Sequence, residues 1–412
     1  MQEASAFLHF GRFFMLTSLS FIFLVGLSVA AIVERLRLPR IVGMLVSGVV
    51  LGPYVLDLLD PSILGISSEL RSMALIIILI KAGLSLDLSD LKKVGRPAVM
   101  MSFVPACCEI VGYVIFAPLL LGVSRIDAAL MGAVLGAVSP AVVVPRMLRL
   151  MDEKYGTGKC IPQLITAGAS CDDIFVIVLF TAFADMSGGG KVNYIDFVNI
   201  PVSVLLGIAL GALAGFVLSF VFVTSHAHGR EISGSVKVTV VLGTVFLLMA
   251  AETWAEGYVA ISGLLAVVGM ACTVKRRCPA AESADLSVKF GGLWSAAEVL
   301  LFVLVGAAVD IRYTLDAGIA AVGMIFIALI FRAAGVLLCL AGTPLDLRER
   351  LFCVIAYLPK ATVQAAIGSV PLSMGLPCGN IILSVAVLAI IITAPLGAVG
   401  IDASCKKLLK RE

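Results

Sequence analysis

The sequence predicts an all-α protein that crosses a membrane many times. Of its 412 residues, 60% are hydrophobic and only 14% are charged, whereas soluble domains are about half apolar and a quarter charged. Apolar runs long enough to cross a bilayer recur from end to end. Lys and Arg concentrate in alternate connections between those runs, which is typical of multi-pass membrane proteins.

Thirteen transmembrane helices are predicted from the apolar runs between polar breaks. The first run, about residues 13–32, exceeds the length of a signal-peptide core and lacks a basic N-terminal region, so we interpret it as a helix. The predicted spans lie near residues 13–33, 40–57, 72–86, 97–121, 127–147, 160–185, 197–224, 237–251, 257–274, 289–308, 315–341, 351–371 and 379–402.

The distribution of basic residues gives the predicted orientation. Of the 30 Lys and Arg residues, 22 lie in alternate connections and the C-terminal tail, and five lie on the opposite side. Cytoplasmic loops carry the excess of basic residues. We therefore expect the N-terminus outside and the C-terminus in the cytoplasm, in a bacterial-type inner or plasma membrane.

Composition also excludes several function classes. No basic cluster is interleaved with aromatic residues, so a nucleic-acid partner is not expected. Most of the ten cysteines lie inside apolar runs without a CxxC pair, and His226 with His228 is too little for a metal site. We expect no cofactor.

An internal repeat is predicted from a constant offset of 223 residues. Around Gly83 and Gly306, the segments ILIKAGLSLDL and FVLVGAAVDI are similar, and the offset shifts the chain by seven predicted helices, an odd number. The second copy should therefore enter the membrane from the opposite side. This predicts two six-helix inverted-topology repeats joined by a linker helix near 197–224. The other pairs at this offset are Asp87 and Asp310, Glu109 and Arg332, and Ser139 and Thr362.

Two adjacent carboxylates, Asp172 and Asp173, lie near the middle of the sixth predicted helix. Desolvation and mutual repulsion both disfavour two negative charges there, so at least one proton should be retained. Such a pair can exchange protons for a monovalent cation. The alternative is that both aspartates are structural and either cap a helix or form ion pairs.

Prolines inside two predicted helices predict breaks at mid-membrane. Pro140 and Pro145 lie in the fifth helix, and Pro359 lies in the twelfth; proline removes a helical hydrogen bond and clashes with an upstream carbonyl. We expect two crossing broken helices whose free carbonyls bind cations, although ordinary kinks are the alternative. Neutral oxygens nearby are expected from Ser139, Thr362 and Gln364.

Three further charged residues lie within predicted spans. Lys360 should offset the negative ends of the half-helix dipoles, unless it extends to the membrane surface. Glu109 and Arg332 occupy equivalent positions in the two repeats, which predicts a buried structural ion pair. The alternative is that Arg332 faces Asp172 and keeps it ionised.

Several motifs together resemble the monovalent cation:proton antiporter superfamily. They are PRIVGMLVSGVVLGP at 39–53, AGLSLDLSDLKKVGR at 82–96, the Asp172–Asp173 pair and LPKATVQAAIG at 358–368. The last motif, with Arg332 and Glu109, is most similar to the NHA-type sodium/proton exchangers, relatives of bacterial NapA and NhaA. The resemblance covers nearly the whole chain.

The resemblance implies an NhaA-like fold and a homodimer among membrane lipids. It implies a dimerisation domain of helices 1–3 (1–86) and 8–10 (231–312), and a mobile core of helices 4–6 (87–190) and 11–13 (313–412). Helix 7, within 191–230, would link them. Asp173 would be the main transient Na⁺ ligand, with Asp172 beside it. One departure is Arg332, which stands where those relatives have a lysine and cannot release a proton, so their transport stoichiometry does not carry over.

We therefore expect a secondary sodium (or lithium)/proton antiporter rather than an enzyme, in which Na⁺ and H⁺ compete at one site while the core moves like an elevator. An intramembrane aspartyl protease needs aspartates on facing helices, which adjacent residues do not supply. The remaining alternatives are a potassium/proton exchanger, and a sodium-coupled symporter or channel of related architecture.

Overall fold

The structure, a computed structural model, describes residues 15–36, 38–85, 95–188, 194–227, 232–255 and 261–411. Within these ranges the structure describes the backbone alone at residues 170, 194–201, 204, 226–227 and 311–317. The described part of the chain is helical apart from turns, loops and one isolated β-bridge between Tyr155 and Arg411.

Eighteen helices are present in the described ranges. In chain order they are α1 Met15–Arg35, α2 Arg40–Leu51, α3 Pro61–Gly65, α4 Ser67–Ser85, α5 Arg96–Met101, α6 Val104–Leu121, α7 Arg125–Leu135, α8 Pro140–Asp152, α9 Ile161–Ser187, α10 Tyr194–Ala227, α11 Gly234–Ala255, α12 Gly263–Arg277, α13 Ala280–Ala307, α14 Ile311–Cys339, α15 Leu347–Ala356, α16 Thr362–Gly368, α17 Val370–Ser373 and α18 Gly379–Leu408.

Nine segments of the described chain are long and apolar enough to cross a membrane. Two of them, Arg96–Leu121 and Arg125–Asp152, each contain two consecutive helices, and Arg40–Leu51 is apolar but shorter. Each of the thirteen predicted spans overlaps helical residues, while the count of thirteen crossings stays a prediction. Asp87, one residue of the predicted repeat, lies outside the described residues.

Several predicted helix limits were wrong. The second helix, predicted to reach residue 57, ends at Leu51, because Gly52 adopts an extended backbone after its N–H bonds the Gly48 carbonyl. The third, predicted from residue 72, begins at Ser67. The fourth is interrupted between Met101 and Val104, a break that was not predicted.

The two predicted mid-membrane breaks are present. The fifth predicted span divides into α7 and α8 with residues 136–139 unwound, and the twelfth divides into α15 and α16 with residues 357–361 unwound. Pro140 is the first residue of α8, where its missing N–H costs no hydrogen bond. Pro145 was wrongly assigned to the break: it lies inside α8, which continues past it to Asp152, because one absent donor bends a helix without ending it when the rest of the turn stays bonded.

The helices pack in two groups. In the first, α13 packs on α2, α4 and α11, and α12 packs on α4 and α10. In the second, α14 packs on α6, α9 packs on α7 and α8, and α18 packs on α14, α15 and α16. Helices α6 and α14 carry the equivalent positions Glu109 and Arg332 of the predicted repeat. The limits of the predicted domains are not tested by this packing and stay a prediction.

Glycines allow α2 and α13 to approach closely within the first group. A Cβ on Gly48 would overlap the Val303 carbonyl oxygen, and a Cβ on Gly306 would overlap the Leu45 carbonyl oxygen. Both obstacles are backbone atoms that cannot rotate away, so the contact requires glycine on both sides.

We predict that Gly48→Ala lowers the stability of the protein, because the added methyl group forces the two helix backbones apart. Overpacking of this kind costs about 1–3 kcal/mol. Gly243→Ala is the matched control, since a Cβ on Gly243 in α11 meets no atom within 4 Å. The midpoint of thermal unfolding in detergent should fall for Gly48→Ala only; equal midpoints for the two variants would refute the close-approach argument.

Candidate ion-binding site

The unwound segments of the two broken helices cross and bond to each other. The Ser139 N–H donates to the Pro359 carbonyl at 2.8 Å, and the Ser139 and Thr362 hydroxyl oxygens lie 3.4 Å apart. Gln364 donates to the Ala137 carbonyl at 2.8 Å and accepts from the Ala361 N–H at 2.8 Å. Several backbone groups freed by one break are therefore bonded by the other, which lowers the cost of burying them.

Four charged side chains surround this crossing, and all are buried. Arg332 donates to Glu109 at 2.8 Å and to Asp172 at 3.1 Å. Lys360 lies 2.7 Å from the other Glu109 carboxylate oxygen. The four groups comprise two acids and two bases, so their formal charges cancel.

Both basic side chains also bond the free end of α7. Lys360 donates to the Leu135 carbonyl, and Arg332 donates to the Gly136 carbonyl. These carbonyls form the negative end of the α7 dipole, which cations stabilise. The structure thus places Lys360 at a half-helix end, and its compensating role stays a prediction.

The structure brings together two contacts that the sequence argument treated as alternatives. Arg332 pairs with Glu109 and with Asp172 at the same time, through different nitrogens. The ion pair between Lys360 and Glu109 was missed, because these residues are 251 positions apart and the 223-residue offset does not relate them. The backbone N–H of Val138, which donates to Asp172 at 2.8 Å, was also missed; only the predicted break hinted that such a group would be free.

Asp173 differs from the other buried charges. It is 8% exposed, its Oδ1 has no hydrogen-bond partner, and no basic side chain of the described residues lies within ion-pair distance of it. The Oδ1 of its neighbour Asp172 also lacks a partner there. Two carboxylate oxygens without hydrogen-bond partners, on adjacent residues, are suited to a hard monovalent cation or to protons.

Two cavities lie near this region. A cavity of about 720 Å³ on the C-terminal side is lined by Arg40, Glu298, Ala141, Val142 and Asp402 among others, and so reaches α8 two residues from Ser139. A second cavity, of about 240 Å³, lies beside Phe180 and Thr181 in the C-terminal half of α9.

Comparison with known proteins identifies the family. The family model for the sodium/hydrogen exchanger transmembrane region matches residues 19–407. The chain belongs to the sodium/hydrogen exchanger family. It is therefore an integral membrane protein of the monovalent cation:proton antiporter superfamily, whose members are transporters and not enzymes.

Curated relatives and solved structures agree with this family. Human sodium/hydrogen exchanger 9B2 is 33% identical over 393 residues, covering 91% of this chain and 70% of that protein. Human sodium/hydrogen exchanger 9B1 is 32% identical over 364 residues, covering 84% and 67%. The sodium proton antiporter MjNhaP1 from Methanocaldococcus jannaschii at pH 8 has a TM-score of 0.80 at 21% identity, covering 96% of this chain and 98% of its own. That likeness shows the fold.

We predict that Glu109→Gln destabilises the protein strongly, because it leaves Arg332 and Lys360 buried with one carboxylate fewer. Breaking a buried charge pair costs about 3–5 kcal/mol. Adding Lys360→Met should recover part of the loss, since Arg332 still pairs with Asp172 and Lys360 is the cation left without a carboxylate. Thermal unfolding in detergent checks both variants. A double variant no more stable than Glu109→Gln would contradict the charge balance.

Proposed function

We propose that the protein exchanges Na⁺ or Li⁺ for protons at the Asp172–Asp173 pair. Asp173 is the main cation ligand, and Asp172 assists it from the neighbouring position. The observation that carries this proposal is the charge balance: Glu109 and Asp172 are compensated by Arg332 and Lys360, which leaves Asp173 as the acid whose charge a transported ion must cover. The hydroxyl oxygens of Ser139 and Thr362 lie at the same crossing.

Coupling follows from the cost of moving a bare carboxylate through lipid. When Na⁺ or a proton neutralises Asp173, the site can become accessible from the other side of the membrane. When Asp173 is charged and has no bound ion, it cannot. The cation and the proton therefore bind alternately, and each increases the population of the conformation to which it binds. We infer that the second packing group moves against the first as an elevator, since α9 and both broken helices belong to that group.

A potassium/proton exchanger is the nearest alternative, because Na⁺, Li⁺ and K⁺ differ only in the size of the site that they require. A sodium-coupled symporter or a channel of this architecture would move Na⁺ without proton exchange. The names of the curated relatives favour sodium.

We further propose a homodimer through the first group of helices, in a plasma or bacterial inner membrane with the C-terminus in the cytoplasm. Helix α11, within the predicted dimerisation domain, presents large apolar side chains outward, including Phe246 and Leu247. The basic C-terminal segment contacts the loop after α8, where Gly156 N–H donates to the Lys410 carbonyl.

We predict that Asp173→Asn abolishes Na⁺-driven proton movement in proteoliposomes, because a neutral amide can neither release a proton nor compensate Na⁺. Asp285→Asn is the matched control, since Asp285 lies on α13 in a surface pair with Lys289. A pH-sensitive dye inside the liposomes reads the flux, and thermal unfolding checks that both variants are folded. Retained exchange in Asp173→Asn would overturn the proposal.

The same assay with Na⁺, Li⁺ and K⁺ gradients separates the alternatives. We expect proton movement with Na⁺ and Li⁺ and little with K⁺. Equal or greater movement with K⁺ would replace the proposed substrate, and cation flux without any change in internal pH would favour the symporter or channel.

The orientation is testable through Cys160, the exposed cysteine among the ten. We predict that a membrane-impermeant maleimide labels it in permeabilised cells and not in intact cells, because its loop lies on the side of the C-terminus. Ser62→Cys in a Cys160→Ser background is the control for the opposite side of the membrane and should be labelled in intact cells. Ser62 is exposed in the connection between α2 and α4. Labelling of Cys160 in intact cells would invert the topology.

A further inference from the structure

Tyr357 lies at the ion site without a role in the proposed exchange. It is fully buried and begins the unwound segment after α15. Its carbonyl accepts a hydrogen bond from Arg332 Nε at 2.6 Å, and its ring centroid lies 5.5 Å from Arg332 Cζ. A guanidinium group at this distance from an aromatic ring is attracted to it, and more strongly when water is excluded.

The opposite end of the Tyr357 side chain contacts α9. A Cβ on Gly168 would overlap the Tyr357 hydroxyl oxygen, so the phenol lies directly against the backbone of α9, one turn before Asp172. Glycine is required at this position for the ring to occupy its place. The side chain thus fills the space between Arg332 and the helix that carries Asp172.

The contacts of Tyr357 are those of its ring and its backbone. Its hydroxyl group is buried and has no hydrogen-bond partner among the described residues. Such a group is uncommon, because buried polar atoms are nearly always bonded. Beside the bond to its backbone carbonyl, Tyr357 therefore acts on Arg332 through the packing of its ring and not through a hydrogen bond of its hydroxyl.

We propose that Tyr357 is a positioning residue that holds Arg332 against Asp172 and so determines how strongly a transported cation must compete for that carboxylate. This inference rests on the proposed function, in which Asp172 assists Asp173 in binding the cation.

The physical basis is the competition between two cations for Asp172. An Arg332 side-chain nitrogen lies 3.1 Å from the Asp172 Oδ2, and both side chains are buried. Loss of the ring leaves room for water, and water weakens the attraction between the guanidinium and the carboxylate. Asp172 then becomes more available to Na⁺ or Li⁺.

The test compares Tyr357→Leu with Phe352→Leu in proteoliposomes at an alkaline pH, where protons compete least, and then over a series of lower pH values. Phe352 is equally buried on α15, and the described residues place no cationic group over its ring. We expect the apparent KM for Na⁺ to fall about threefold or more in Tyr357→Leu, with a changed pH dependence of that KM, and to stay near the parental value in Phe352→Leu. Tyr357→Phe keeps the ring and should recover the parental KM.

A second comparison uses Gly168. Gly168→Ala should displace the ring from Arg332 and lower the KM in the same direction, whereas the double variant Gly168→Ala with Tyr357→Phe, in which the obstructing hydroxyl is gone, should return the KM toward the parental value. An unchanged KM in Tyr357→Leu, or identical values for Gly168→Ala and its double variant, would overturn the inference. Failure of the proposed function is distinguishable, because it appears as exchange retained in Asp173→Asn.

Discussion

Charge balance among buried side chains is the constraint on which the rest of this structure depends. Two acids and two bases, Glu109 and Asp172 with Arg332 and Lys360, lie together where two helices are broken. Any one of them alone would be costly to bury, and together they leave no net charge. Asp173, directly beside Asp172, adds one carboxylate beyond this balance. In the proposed exchange, a cation or a proton neutralises this additional carboxylate.

The broken helices provide the frame for this balance. Consecutive carbonyls at the end of α7, those of Leu135, Gly136 and Ala137, accept from Lys360, Arg332 and Gln364. Each donor comes from the other half of the chain, so the two halves are joined at the point where both lose their helical hydrogen bonds. These bonds replace helical hydrogen bonds that the break removes, so the three carbonyls have partners inside the protein.

The free-energy cost of placing charged side chains and unbonded backbone groups in lipid explains which parts of the fold and site could be predicted from sequence. Asp172, Asp173 and Lys360 stood out because a charged residue at mid-membrane needs a reason, and the breaks followed from Pro140 and Pro359. Pro145 was misassigned because residue type alone does not tell whether a proline begins a helix or lies inside one. The pairing of Lys360 with Glu109 and the approach of Tyr357 to Gly168 could not be predicted, since both depend on how distant helices pack. Helix limits near Gly52 and Ser67 were missed because hydropathy does not mark where a backbone turns.

Proton release on cation binding tests the central claim most directly. Purified protein in weakly buffered detergent solution would be titrated with Li⁺ or Na⁺ while the released protons are counted with a pH electrode, and Asp173→Asn would be titrated in parallel. Competition at one carboxylate pair predicts that protons are released as the cation binds, with a saturation curve that matches binding, and that the variant releases none. Cation binding that saturates without proton release, or equal release from the variant, would contradict the account.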